Sequence, residues 1–592
     1  MYYNMSKKHI LNFYFSTSLE LMKKTTQLPE KEHFYSSLSE DTISDDSYDF
    51  AKKVWKTFKC KTLLDYTEIY CEIDTILLAE IFQKFRKDMI YFSGLDPARY
   101  ISLPGFSFDS MLKLTKCHLE LPTDINIVQF IESGIRGGLS FINTRHLKAV
   151  KPNEKLFYID ANNLYGLAQT CKLPTGNLQF ISEKRYSHIN WTTIDTEGNI
   201  GYILEVDLLY PSNLHDLHSD FPLAPESLEV SYENLSPYSK QKYKECYSGS
   251  TNFKDTKLLN TFHPRLNYVL HFKNLKLYLS LGMKLKKIHR VLSFTQKRFI
   301  KPFIDICTDA RQRSKTAFEQ NQYKLVANST YGKTIQNVRN YLNVKLHSNE
   351  KQILKATSNP TFKSFSILDE KLVQTNHFTP VILHDRPIFV GFTVLELSKH
   401  FMYDFYYNKL LKNAPCKIQL GFSDTDSFLF KVDAPNAFMK HIKPYMDFSN
   451  YPTSHPLYSI KNKSKLGYFK DELQGTLKCV EFIGLRAKCY ALKLKHEGKI
   501  TEKKVCKGLG KFAIKNRLKF KHYKKCLFEG QTRRFSFHSI RSKKHNISTV
   551  RLNKKALSHF DSKRWIFDCG IHSVPYGSYV IKKNYNVCNV CK

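Results

Sequence analysis

Two aspartates, Asp424 and Asp426, stand in a short polar turn between two apolar runs, residues 418–422 and 428–432. This pattern predicts a β-hairpin that carries both carboxylates at its tip. Two like charges repel each other at such a tip unless a cation lies beside them, and a divalent metal with oxygen ligands fits this chemistry. The pair therefore predicts a metal site.

Asp160 supplies a third carboxylate, at the end of the apolar, strand-like run 156–159. Carboxylates that reach one site from distant strand ends are typical of sites that hold two metal ions for phosphoryl transfer. We therefore expect Asp160 to join the pair at the hairpin tip.

A cation, an amide and a phenol form the second candidate site. Lys324, Asn328 and Tyr331 are spaced i, i+4 and i+7, so one helix would place them on one face. Such a stripe could hold a triphosphate and support a base pair. Arg313 precedes Lys324 by close to three helical turns and would share the face if the helix is unbroken. The alternative is a solvated stripe without a ligand.

Two short segments could contact a nucleotide and a primer. The sequence ANNLYG follows Asp160, and a turn there would aim backbone N–H groups at a phosphate and put Tyr165 beside a sugar. The alternative is a tyrosine of the core. In residues 484–490, a strand would point Lys488 and Tyr490 to the same side, where they could hold a primer strand.

Composition favours a polyanionic partner. The chain of 592 residues is long enough for several domains, and its 91 Lys and Arg against 54 Asp and Glu give a net charge of +37. Residues 493–555 are strongly basic but interleaved with aromatic residues, so we expect them to fold and present a basic surface.

The expected cellular compartment is inferred from three features that the sequence does not show. No apolar run is long enough for a transmembrane helix, and no signal peptide is visible. The 14 cysteines are scattered and do not suggest a disulfide framework. We expect an intracellular protein, nuclear or cytoplasmic, that is not secreted and has no membrane partner.

In this order, the four motif segments resemble those of family B DNA polymerases. The chain is more narrowly similar to the protein-primed branch of linear plasmids, viruses, phages and Polinton/Maverick-type elements, and residues 200–226 and 543–564 resemble the mobile-element group. The resemblance implies an α/β (α+β) right-hand fold with an antiparallel palm sheet, helical fingers, a thumb and a partial ribonuclease-H-like exonuclease domain. The implied regions are a partial exonuclease-like region (1–130), palm with a first insertion (131–300), fingers (301–340), a second insertion and palm with the catalytic hairpin (341–490), and thumb with tail (491–592).

The resemblance also implies an activity, which is template-directed addition of deoxynucleotides to a primer 3′-hydroxyl or to a hydroxyl of a terminal priming protein. The replicated DNA would belong to a viral or mobile element. The implied partners are template-primer DNA and deoxynucleoside triphosphates, and the cofactors are two Mg²⁺ ions, with Mn²⁺ as a substitute. By the same resemblance, Asp160 and Asp426 would bind the metal ions, with Asp424 beside them. The triphosphate would be bound by Lys324 and Arg313, and Tyr165 would exclude ribonucleotides. The nascent pair would be lined by Asn328 and Tyr331, and the primer would be contacted by Lys488 and Tyr490.

The chain departs from the family pattern in two places. In the protein-primed group a Tyr-x-Gly-Gly turn touches the template. Here Gly137 and Gly138 keep the turn, Ile135 stands in place of Tyr, and Arg136 could supply a phosphate contact. In the exonuclease region, only the third motif has a counterpart, with a tyrosine and an aspartate at i and i+4. These residues are Tyr70 and Asp74. We therefore expect an N-terminal truncation, exposed apolar surface and no proofreading.

The C-terminal tail contains two pairs with the spacing of zinc ligands, Cys569-x-x-His572 and Cys588-x-x-Cys591. We expect these pairs not to bind zinc, with Cys569 a buried thiol, His572 an ordinary histidine and the last two cysteines part of a frayed tail.

Two other function classes compete with an active DNA polymerase. One is a remnant of a mobile element that binds nucleic acid without catalysis, which the missing exonuclease motifs favour and the intact carboxylates oppose. The other is an RNA polymerase or reverse transcriptase with a two-aspartate palm, which the Lys324–Tyr331 motif and the bulky Tyr165 oppose.

Overall fold

The computed structural model describes residues 18–543, 546–582 and 588, and these form helices and mainly antiparallel sheets, which confirms the α+β class. The helices are α1 (Leu19–Lys24), α2 (Asp45–Thr57), α3 (Leu63–Ser93), α4 (Leu103–Thr115), α5 (Ile125–Ser133), α6 (Leu164–Gln169), α7 (Glu183–Tyr186), α8 (Pro237–Cys246), α9 (Phe272–Ser280), α10 (Lys301–Arg313), α11 (Ala317–Thr334), α12 (Glu350–Thr357), α13 (Ile388–Asp404), α14 (Pro435–Ile442), α15 (Lys511–Arg517), α16 (Phe520–Glu529) and α17 (Tyr579–Lys582).

The strands contribute to six sheets. They are β1 (Ser140–Ile142), β2 (His146–Lys148), β3 (Lys155–Ala161), β4 (Leu173–Ile181), β5 (Ile200–Leu209), β6 (Glu226–Ser231), β7 (Lys254–Leu259), β8 (Arg265–His271), β9 (Lys284–Lys297), β10 (Leu342–His347), β11 (Phe362–Asp369), β12 (Leu372–Phe378), β13 (Ile418–Asp424), β14 (Ser427–Val432), β15 (Met446–Asp447), β16 (Phe469–Asp471), β17 (Lys478–Arg486), β18 (Cys489–His496), β19 (Lys499–Cys506), β20 (Arg533–Lys543), β21 (Asn546–Leu557), β22 (Trp565–Ile566) and β23 (Ser573–Val574).

The central sheet carries the carboxylates. Its strand order is β1-β13-β14-β3-β17-β18-β19, and β2, β15 and β16 join it beside this path. All of its pairings are antiparallel except that of β15 with β16. The middle strands are almost continuously buried, because the segment after α13, with Phe405 and Tyr406, covers one face and other apolar side chains cover the opposite face. The sheet therefore holds its strand ends in a fixed relation.

A helical layer lies over one end of this sheet. Helices α10 and α11 form a helical hairpin, and α11 also packs against α4 and α13. Nearly every residue of α13 is buried, and it continues into a π-helical segment, Phe405–Leu411. A helix that is apolar on all sides is typical of the middle of a core. This layer therefore fixes α11 relative to the end of β3.

Two smaller sheets lie in the stretches where the resemblance places insertions. The first has the order β4-β9-β5-β8 and shares its core with the helical layer and the central sheet. The second has the order β10-β12-β11, and apolar side chains such as those of Leu346, Phe365 and Ile367 are exposed on it.

The basic C-terminal region folds, as its interleaved aromatic residues predict. Helices α15 and α16 bury Leu518, Phe520 and Tyr523 against β17–β19. Strands β20 and β21 form a long hairpin beside them. Most of the lysines of α15 and α16 stay exposed, so the region presents a basic surface.

The N-terminal part is helical, and between residues 18 and 130 the described chain contains no strand beyond one isolated bridge, Ser36 with Asp41. Helices α2 and α3 are separate, because Thr62 caps a new start at Leu63. Several apolar side chains of α3, including Leu78 and Ile81, are exposed, as expected. The region boundaries remain predictions, and the core that contains α4 extends from Met89 into the fingers region. No helix in the described residues is long and apolar enough to cross a membrane.

Candidate active site

The hairpin predicted around Asp424 and Asp426 is present. Strand β13 ends at Asp424 and β14 begins at Ser427, so both carboxylates lie at the tip. Thr425, between them, adopts a left-handed backbone with φ 63°. Strain in a β-branched residue at such an angle persists only where neighbours hold it. Here the Thr425 N–H donates to the Leu139 carbonyl at 2.7 Å.

The tip lies beside the end of β3, which carries Asp160. Asp160 is paired in register with Ser427, and the Ala161 N–H donates to the Asp426 carbonyl at 2.8 Å. The sheet register therefore brings Asp160 and Asp426 together, as the sequence predicts. Asp424 has a different partner, because its carboxylate lies 3.0 Å from the Lys488 ammonium.

Negative charge is concentrated at this site. Burial, followed by the charges of Asp426 and Glu472, raises the pKa of Asp160 to about 7, although Lys503 and Lys324 act in the opposite direction. Burial and the charge of Asp424 likewise raise the pKa of Asp426. Carboxylates that share a partly buried site without full neutralisation are suited to a divalent cation.

An open cavity of about 650 Å³ adjoins Asp160. Its wall includes the end of β3 and the start of α6, the facing sides of α10 and α11, and the loop before β16. Lys324 lies on this wall, on the same side of α11 as Ala327. The cavity therefore joins a carboxylate and several cations, and these cations are Arg311, Lys324, Lys461, Lys463 and Lys470.

The stripe on α11 lies on one helix as predicted. Asn328 is half-buried, and its Oδ1 is buried without a hydrogen-bond partner in the described part of the chain. The ring of Tyr331 stacks on that of Tyr165, with centroids 4.7 Å apart and planes 19° from parallel. The two tyrosines thus form one unit between α6 and α11. Burial, and then Tyr331, raises the pKa of Tyr165.

The unbroken helix that would place Arg313 on the face of Lys324 is not present. Helix α10 ends at Arg313, Ser314 is extended, and Thr316 caps the start of α11. Arg313 is exposed, whereas Arg311 lies on the cavity wall. A capping box follows the break. In it, the Glu319 N–H donates to Thr316 Oγ1, and the Thr316 N–H donates to the Glu319 carboxylate. The Thr-x-x-Glu spacing could have revealed this break in the sequence.

Two N–H groups of the turn after Asp160 already donate hydrogen bonds to other groups of the protein. The Asn162 N–H donates to the Tyr468 carbonyl, and the Gly166 N–H donates to Asn163 Oδ1 at 3.1 Å. These two groups are therefore not available to a phosphate, in contrast to the expectation from the sequence. Tyr165 still lies where α6 begins, beside α11.

The expected strand through Lys488 and Tyr490 is also wrong. Lys488 lies in the turn between β17 and β18, with φ 58°, and points to Asp424. Tyr490 is buried, stacks on Phe422, and has its hydroxyl 3.3 Å from that of Tyr158. Lys488 thus belongs to the carboxylate cluster, and Tyr490 belongs to the core rather than to an exposed primer surface.

Arg136 does not face a phosphate. Its guanidinium is buried, donates to the Val269 carbonyl at 2.7 Å, and lies 3.9 Å from the centre of the Tyr268 ring. The neighbouring Gly138 approaches the hairpin tip so closely that a Cβ there would come within 2.7 Å of the Thr425 side chain. A Cβ added at Gly137 would meet no atom within 4 Å. The turn therefore supports the carboxylate hairpin.

Asp447 is a site residue that the sequence did not single out. It is fully buried and accepts hydrogen bonds from the Asn162 side chain at 2.7 Å and from the Ser464 N–H at 2.8 Å. Burial raises the pKa of this carboxyl, but the hydrogen bonds, led by those from Ser449, hold the pKa below its usual range. Asp447 thus links the segment after β3 to the loop before β16, and both segments line the cavity. Its sequence indicates only a local Asp-x-Ser turn.

Glu472 is the other missed carboxylate. It lines the cavity, and Lys503 lies 3.0 Å from it.

The remaining sequence candidates lie outside this site. Tyr70 and Asp74 share one face of α3 and interact, and burial, followed by Asp74, raises the pKa of Tyr70 to about 12. A small cavity beside them has Asp74 as its one carboxylate among the described residues. The absence of proofreading stays a prediction. In the tail, Cys569, His572 and Cys588 lie together, and Cys591 lies outside the described residues.

Comparisons with known proteins find one matching family and several similar structures. The family model described as "DNA polymerase type B, organellar and viral" matches residues 4–406. No curated protein matches the chain. Phi29 DNA polymerase complexed with primer-template DNA and incoming nucleotide substrates is similar, with 16% identity, a TM-score of 0.48, and coverage of 87% of this chain and 73% of that chain.

A second phi29 DNA polymerase structure, a binary complex with primer-template DNA, has 16% identity and a TM-score of 0.46, and the match covers 90% of this chain and 76% of that chain. The family match covers more than half of the chain and confirms the resemblance to family B enzymes. The chain belongs to the type B DNA polymerases, organellar and viral, which are DNA-directed DNA polymerases.

Proposed function

We propose that this chain catalyses template-directed DNA synthesis by adding deoxynucleotides to a primer 3′-hydroxyl. The observation that carries the proposal is the meeting of Asp160, with Asp426 beside it, and Lys324 at one open cavity. Phosphoryl transfer depends mainly on positioning and on charge stabilisation, and this cavity joins cation-binding carboxylates to a phosphate-binding lysine. Membership of the type B family supports the same reaction.

Asp160 and Asp426 suit a hard divalent cation, because both are partly buried beside another acid: burial and then Asp426 raise the pKa of Asp160, and burial and then Asp424 raise that of Asp426. We propose that they hold two Mg²⁺ ions, which Mn²⁺ can replace, while Asp424 stays beside them on Lys488. When bound, such ions lower the pKa of the primer hydroxyl and stabilise the leaving pyrophosphate.

The protein's own groups would bind and select the nucleotide. Lys324 and Arg311 lie on the cavity wall, where their charges can hold a triphosphate. Tyr165 is held against Tyr331, so its ring cannot easily turn away from a sugar with a 2′-hydroxyl. Asn328 follows Lys324 by one turn of α11, and we propose that it lines the nascent pair from there.

We also propose that a protein hydroxyl can take the place of the primer, and that the copied DNA belongs to a viral or mobile element. The support for both is the resemblance of the motif segments to the protein-primed branch.

Extension of a primed template tests the proposal. A labelled primer is incubated with Mg²⁺ and one nucleotide at a time on templates that differ in a single base. We expect the template base to select the nucleotide, and deoxynucleotides to be preferred over ribonucleotides. Tyr165→Val should reduce that preference by about tenfold or more, because the smaller side chain no longer obstructs the 2′-hydroxyl, whereas Tyr331→Phe, which keeps the stack, should not. Addition without regard to the template, or a preference for ribonucleotides in the unaltered chain, would contradict the proposal.

A further inference from the structure

A turn in the C-terminal segment presents a sulfur and an imidazole together. It joins β22 to β23 and contains Cys569 and His572. The Cys569 sulfur accepts hydrogen bonds from the N–H groups of Ile571 at 3.5 Å and His572 at 3.4 Å. Hydrogen bonds to a sulfur stabilise its thiolate form, which is the form that binds metals. The backbone of the turn therefore prepares Cys569 as a ligand.

Cys588 completes a compact group of three donors. Its Sγ is buried and lies 3.3 Å from His572 Nδ1, and the Cys569 Sγ lies 3.7 Å from the same nitrogen. All three atoms lie within 4.8 Å of one another. Around a tetrahedral zinc ion, with the usual zinc–sulfur and zinc–nitrogen bond lengths, such donors are about 3.5–3.8 Å apart. The two sulfur–nitrogen distances are thus close to those around a tetrahedral zinc ion.

We propose that Cys569, His572 and Cys588 hold a structural zinc ion. Two sulfurs with one imidazole are a ligand set that favours zinc over the hard ions of the carboxylate site. The expectation from sequence alone was the opposite, because the spacing did not show that the turn and the tail meet.

The position of the turn assigns the ion a role. The Arg145 N–H donates to the Ile571 carbonyl at 2.9 Å, and the buried Arg145 guanidinium donates to the Gly570 carbonyl at 3.0 Å. Ser573 donates to the Asn143 carbonyl at 2.7 Å. The turn is thus fastened to the chain between β1 and β2, and zinc would fasten the tail to the turn. This inference does not depend on the proposed DNA synthesis.

Zinc content tests the proposal. The full chain is purified with a reducing agent but without chelators, and metal per chain is measured by elemental mass spectrometry. We expect about one zinc ion per chain. Cys569→Ser and Cys588→Ser should each lose it, whereas Cys71→Ser, which alters an exposed thiol on α3, should keep it. Cobalt in place of zinc should give the sulfur charge-transfer absorption and the strong visible bands of tetrahedral thiolate coordination.

A measurement on the unaltered chain covers variants that fail to fold. Thiols are alkylated with iodoacetamide, with and without a chelator, and the peptides are quantified. Cys569 and Cys588 should be protected until the chelator is added, while Cys71 should react in both samples. Absence of zinc from the unaltered chain, retention of zinc in both variants, or alkylation of Cys569 that does not respond to the chelator would overturn the proposal.

Discussion

At the level of single residues, the candidate active site contains carboxylates whose negative charge is only partly offset by nearby lysines. Asp160 and Asp426 have raised pKa values because they are partly buried near other acids, and Lys488, Lys324 and Lys503 offset only part of that charge. The remaining negative charge is what a divalent ion would neutralise. A lysine on the cavity wall is then available to the opposite charge of a triphosphate.

The cations on the cavity wall allow a matched comparison. Lys324→Ala and Arg311→Ala should each raise the KM for deoxynucleotides by about 10- to 100-fold, because removal of a charged hydrogen bond costs about 1.5–3 kcal/mol. Arg313→Ala, which removes an exposed guanidinium two residues away from Arg311, should leave KM nearly unchanged. Steady-state incorporation of a single nucleotide measures the effect. A larger effect for Arg313 than for Arg311 would show that the helical hairpin is arranged differently.

The sequence could predict which residues carry chemistry better than where their side chains point. Spacing identified Asp160, Asp426 and Lys324, because strand ends and helical periodicity are local properties. It could not show that Arg136 is enclosed by Val269 and Tyr268, which come from a distant strand. For the same reason it did not find Asp447, whose partners come from both sides of the cavity.

At the level of elements, the carboxylate hairpin depends on its neighbours. Strand β1 pairs with β13 up to Asp424, and the turn before β1 presses Gly138 against Thr425. The close approach of Gly138 and the hydrogen bond from the Thr425 N–H to the Leu139 carbonyl hold the residue between the two aspartates at the tip.

Substitution of the two glycines of this turn distinguishes a steric clash from the general effect of replacing glycine. Gly138→Ala should destabilise the hairpin tip by about 1–3 kcal/mol, because the added methyl would overlap the Thr425 side chain. Gly137→Ala should have little effect, since its Cβ would meet open space. Thermal unfolding and primer extension, measured in parallel, give the two results.

A second substitution tests whether Thr425 is the cause. Thr425→Gly removes the side chain that the new methyl would meet, so it should restore extension in the Gly138→Ala background. If Gly137→Ala proves as damaging as Gly138→Ala, the close approach is not the reason for the glycine.

Element boundaries were predictable where the sequence carries a cap. Thr316 and Glu319 form a capping box that marks the start of α11, and Thr62 with Asp65 marks that of α3. The turn at Lys488 has no such signal, because neither Ala487 nor Lys488 is a residue that favours a hairpin turn. The strand predicted there was wrong for this reason.

At the level of the whole molecule, charge is the dominant property. The net charge of +37 opposes compaction, and much of the excess lies on the folded C-terminal region. Exposed lysines on α15 and α16 flank a buried aromatic core, which fits contacts with a phosphate backbone rather than base readout.

This charge distribution predicts a steep salt dependence. The affinity for a primed template should fall about 10³- to 10⁵-fold between about 50 and 200 mM salt if six to ten phosphates are bound. Replacing Lys511 and Lys515 of α15 with Ala should reduce the slope of log affinity against log salt by about 0.9 for each phosphate that is no longer neutralised. The same change at Lys351 and Lys355, which are exposed on α12, serves as the control. Equal slopes for the two double variants would exclude α15 from the DNA interface.

The proposed DNA synthesis is best tested by comparing Asp426→Asn with the unaltered chain in Mg²⁺-dependent primer extension, with DNA binding measured on the same samples. We expect the unaltered chain to extend the primer and Asp426→Asn to bind the template-primer but to extend it at least about 10²-fold more slowly. Asp369→Asn, at an exposed carboxylate of β11, should behave as the unaltered chain does. Equal extension by Asp426→Asn would show that this carboxylate is not needed, and no extension by folded unaltered chain that binds the DNA would show that the chain is not a DNA polymerase.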